Sequence, residues 1–85
     1  MRGKILKEAI DIINGERQDQ YGKPEDSFAL IAELWTSYVK RINRDLNAKD
    51  IALMMVLFKI AREVHQGKVD NIIDGAGYLG IAGDL

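Results

Sequence analysis

Apolar residues recur at helical spacing in four blocks along the chain, with short polar stretches between them. In the first block Ile5, Leu6, Ala9, Ile12 and Ile13 share one side of a helix, while Lys4, Lys7, Glu8 and Asp11 cover the other. This predicts a helix over about 3–14, stopped at Asn14-Gly15, because both residues tolerate the left-handed conformation that ends helices. The second block, 24–43, alternates Phe28, Ile31, Trp35, Tyr38 and Ile42 by three and four, with Leu30, Leu34 and Val39 widening the stripe. Trp35 reads most simply as a core residue. Pro24 suits a first helical position, and Glu25 and Asp26 complement the N-terminal dipole. Asp26, Glu33 and Lys40 are spaced by seven and mark the opposite, solvent-facing side.

The third block runs from Ile51 to Val64 and is apolar almost all the way round, a composition suited to the centre of a packed bundle. Leu53, Leu57, Ile60 and Val64 make a stripe, broadened by Met54 and Ala61. Asn47 and Asp50 have the spacing of a capping box, which sets the helix at about 48–65, and Gly67 is a candidate cap at its far end. His65, the only histidine, reads as a helix-end residue with no second imidazole to build a zinc site. The fourth helix covers about 69–83. Its Gly75, Gly77, Gly80 and Gly83 cost roughly 1 kcal/mol each against alanine. Close approach to another helix or a dimer interface of small residues would offset that cost; a frayed C-terminus is the competing reading. The expectation is one all-α domain over 1–85, four-helix bundle-like and oligomeric.

Composition changes this picture little. A chain of 85 residues buries only about 60–65% of its unfolded surface. With 47% hydrophobic residues, apolar surface remains to be hidden, which predicts a homodimer or tetramer. A net charge of −1 and the lack of a basic recognition stripe argue against nucleic acid and anionic membranes as partners. The absence of cysteine excludes disulfides, thiolate metal sites and thiol nucleophiles. No run is long enough for a membrane span and no secretory segment is visible, so the expected location is the cytoplasm.

Candidate chemistry lies on two polar stripes. Lys59, Arg62 and Glu63 share a narrow face of the third helix; Asp70 and Asp74 project from one face of the fourth, beside Asn71 and Tyr78. A short turn at Gly67 makes these helices antiparallel neighbours. One reading is a salt-bridge network in which the charges only pair with each other. The other assigns the carboxylates to Mg²⁺, which takes one or two carboxylates, several waters and substrate phosphates, with Lys59, Arg62 and Arg17 on the phosphates. The polar segment 16–24 is likewise either a solvated connector anchored by Tyr21 or a loop presenting Arg17, Gln18, Asp19 and Tyr21 to a ligand. Glu8 and Asp11, three apart, read as solvated surface.

The run Glu16-Arg-Gln-Asp-Gln-Tyr-Gly-Lys-Pro-Glu-Asp-Ser-Phe28, then Leu34-Trp35, Ala52–Arg62 and Asp74-Gly-Ala-Gly-Tyr78, resembles an uncharacterised family of small phage and prophage proteins. That family in turn resembles the MazG-like all-α nucleoside triphosphate pyrophosphohydrolases, helical oligomers that use Mg²⁺ to cleave (d)NTPs to monophosphate and pyrophosphate. The MazG pattern is Glu-x-x-Glu on one helix and Glu-x-x-Asp on a later one. Here only Asn71-Ile-Ile-Asp74 matches, with asparagine in place of glutamate, so Asp74 is the one metal ligand carried over. Asp70 joins it by helical geometry, and Glu33 would do so if an oligomer turned the second helix's polar face to a cleft. The resemblance thus implies a phage-encoded, Mg²⁺-dependent (d)NTP pyrophosphohydrolase or a nucleotide-binding relative, with Lys59, Arg62, Arg17, Tyr21, Asn71 and Tyr78 toward the nucleotide. The alternative is a non-enzymatic helical oligomerisation or interaction protein.

Overall fold

Local chemistry sets the end of the second helix and both ends of the third. The structure, a computed structural model, describes residues 2–14 and 24–85, and these form α1 (Arg2–Asn14), α2 (Pro24–Ile42), α3 (Ala48–His65) and α4 (Val69–Asp84). No strand occurs among the described residues. Lys40 and Arg41 sit in the last turn of α2, where they suit the negative end of its dipole. Asn43, at φ 48°, takes the left-handed conformation that turns the chain out of that helix. The capping box at the start of α3 is formed in both directions: Asp50 N–H donates to the Asn47 side chain, and Asn47 N–H to the Asp50 carboxylate. At the other end the cap is Gln66, in an extended conformation with its N–H on the Arg62 carbonyl, and not Gly67.

Gly67 has a different reason to be glycine. A Cβ there would sit 3.0 Å from Glu63 Oε2, so the carboxylate that caps the turn would have to shift by a few tenths of an ångström. α4 stays helical through Asp84 in spite of its glycines. Within the described chain no close approach demands them: a Cβ at Gly75 would make ordinary contact with Lys59 Cβ at 3.8 Å, and at Gly77, Gly80 and Gly83 it would meet nothing within 4 Å.

Packing centres on α3, which lies most extensively against α4 and next against α2. The α2 contact uses Ile31, which is buried, and Trp35, whose indole N–H donates to the Met54 carbonyl at 2.7 Å. Phe28 begins the same sequence stripe yet stays exposed. On α3 the buried positions are Asp50, Ala52, Met54 and Ala61. The expected stripe is therefore covered only in part: Met54 and Ala61 are buried, whereas Ile60 and Val64 are 48% and 66% exposed. A helix that is apolar on every side gives periodicity no face to select.

Among the described residues the helices do not close into a bundle. There α1 makes at most marginal contact with the other helices, and Ile5, Leu6 and Ile10 are each more than half exposed. The Cα radius of gyration is 15.1 Å, against about 12 Å for a compact chain of this length. What forms is an open layer, α2–α3–α4, with α3 in the middle. No helix among the described residues is long and apolar enough to cross a membrane.

Candidate functional site

The tight turn after α3 places the polar positions of α3 and α4 beside one another. Glu63 organises that turn. Its Oε1 accepts the Lys68 N–H at 3.0 Å and the Asn71 side-chain amide at 3.2 Å, and the same amide also donates to the Gln66 carbonyl at 3.2 Å. Asn71 is buried, so a residue expected to face a nucleotide instead ties the turn together. One turn further along, Lys59 Nζ pairs with Asp74 Oδ2 at 2.9 Å. The lysine side chain is largely covered and Asp74 is half exposed, so the pair sits at the edge of the molecule and not within a core.

The remaining candidates are spread around this junction. Lys59 and Arg62 both lie over the Phe58 ring, at 5.4 and 5.5 Å from its centre, the distance of a cation–π contact. Asp70 is exposed one turn before Asp74, and Tyr78 is half-buried one turn after it. Glu33 is exposed on α2, whose main contact is with α3. Asp74, Asp70 and Glu33 do not come together: among the described residues no three acids or histidines are gathered to hold a metal ion. Arg17 and Tyr21 lie outside the described residues. Two carboxylates one turn apart, Asp70 and Asp74, still match the donor chemistry of Mg²⁺, which fills its shell with water and phosphate oxygens.

Between α3 and α4 runs a groove of about 420 Å³. Its walls are Val56, Ile60 and Val64 from α3 and Ile72, Ala76 and Leu79 from α4, and Lys59, Glu63 and Asn71 supply its polar edge. The groove is apolar, open and wide enough for side chains. It suits a hydrophobic partner better than a triphosphate, whose charge needs several fixed donors.

A second polar constellation lies at the α2–α3 corner. Asp50, 2% exposed, accepts from Tyr38 Oη at 2.7 Å, from both terminal nitrogens of Arg44 and from the Asn47 N–H at 2.9 Å. The Arg44 guanidinium, the Asn47 N–H and the Tyr38 hydroxyl together hold this carboxyl far below the usual carboxylate range, against the opposing effect of burial. In return, the hydrogen bond to Asp50 pushes the Tyr38 phenol up, with burial adding to it, and raises Arg44 as well. The capping spacing Asn47/Asp50 was the signal available in sequence; Tyr38 and Arg44 join only through the fold. With every acceptor site of the carboxylate engaged, this corner is built to hold α2 on α3 and not to bind a ligand.

Comparison with known proteins places the chain among phage proteins. A family model described as a domain of unknown function, DUF6378, matches residues 4–85. The Gene 55 protein of Mycobacterium phage L5 is 40% identical over 78 residues, covering 91% of this chain and 49% of that protein. The Gene 55 protein of Mycobacterium phage D29 is 41% identical over 81 residues, covering 94% and 52%. The chain therefore spans about half the length of the curated relatives it matches. No solved structure matches.

Proposed function

The chain belongs to the DUF6378 family, and from that premise we propose that it is a self-associating helical interaction module of a phage, acting in the host cytoplasm through its apolar surface. The observation that carries this reading is the α3–α4 groove, whose wall residues Ile60, Val64, Ile72 and Leu79 all stand about half exposed or more in a single chain. An exposed apolar surface rimmed by polar residues is the kind of feature that marks an interaction site. Linkage makes the test simple: an assembly that dissociates on unfolding melts at a temperature that rises with protein concentration. A melting temperature that stays constant across a wide dilution series would overturn self-association.

A second reading is favoured by the Lys59–Asp74 pair and by the resemblance to MazG-like pyrophosphohydrolases. Phosphate oxygens would compete with Asp74 for Lys59, with Arg62, Arg17, Tyr21 and Tyr78 around the nucleotide. Asp70 and Asp74 would then hold Mg²⁺, which supplies a Lewis acid at the phosphoryl oxygens. Its test is a thermal shift with a panel of dNTPs, with and without Mg²⁺, followed by pyrophosphate release from the wild type and Asp74→Ala. Stabilisation and release that both vanish in Asp74→Ala support it; no shift with any nucleotide at millimolar concentration refutes it.

A further inference from the structure

We draw no further inference here: the strongest candidate, the apolar groove between α3 and α4 walled by Ile60, Val64, Ile72 and Leu79, carries nothing beyond the reading above because nothing in the structure shows what covers it.

Discussion

Asp50 accepts four hydrogen bonds in the folded chain and loses them on unfolding. Its folded pKa lies below the unfolded value of about 3.9. The unfolded state therefore binds the proton first as pH falls, so the stabilisation is complete at neutral pH and declines once pH drops below about 4. Urea midpoints measured from neutral to acid pH should show this limb in the wild type. In Asp50→Asn the neutral midpoint should be lower and the acid decline shallower; an acid limb of unchanged depth would show that another group is responsible. Asn47→Ala removes the reciprocal cap and should cost ~1 kcal/mol, read from the same melts. An unchanged midpoint in that variant would mean that the cap hydrogen bond contributes nothing net.

At the scale of the helices, the glycines of α4 separate local preference from packing. Gly77 faces open space, so Gly77→Ala should stabilise the fold by about 1 kcal/mol through helix propensity alone. Destabilisation instead would reveal a close neighbour at that position in the assembled protein. Trp35→Phe keeps an aromatic ring but deletes the donor to the Met54 carbonyl and the five-membered half of the indole, and should cost at least ~1 kcal/mol by chemical denaturation. The helices were legible in the sequence because apolar spacing and end chemistry agreed: Pro24 opens α2, the Asn47/Asp50 pair opens α3, and all four observed spans fall within one residue of the periodic blocks. The buried face of α3 was legible only in part: Met54 and Ala61 belonged to the expected stripe and are covered, but its larger members Ile60 and Val64 are exposed, because a helix apolar on every side gives periodicity no face to select. Nor was the corner at Asp50, whose partner Tyr38 lies 12 residues away and reaches it only once α2 packs on α3. Of the candidate site, the nearness of Lys59 to Asp74 followed from antiparallel neighbours joined by a short turn, whereas the capture of Asn71 by Glu63 depends on turn geometry that spacing does not encode.

For the molecule as a whole, the balance between covered and uncovered apolar surface is the governing fact. The buried hydrophobic set is confined to Ile31, Ala52, Met54, Ala61 and Ala82 among the described residues, mostly small side chains. Larger ones, Ile60, Val64, Ile72 and Leu79 with Ile5, Leu6 and Ile10, remain at the surface. At ~25 cal/mol per Å² of apolar surface removed from water, covering them adds stability that the open layer alone does not have. Sedimentation equilibrium of the full chain across a wide concentration range tests this most directly. The expected result is a native mass of at least twice 9.5 kDa that falls toward 9.5 kDa on dilution and in Ile60→Asp. A mass of 9.5 kDa at every concentration would contradict it.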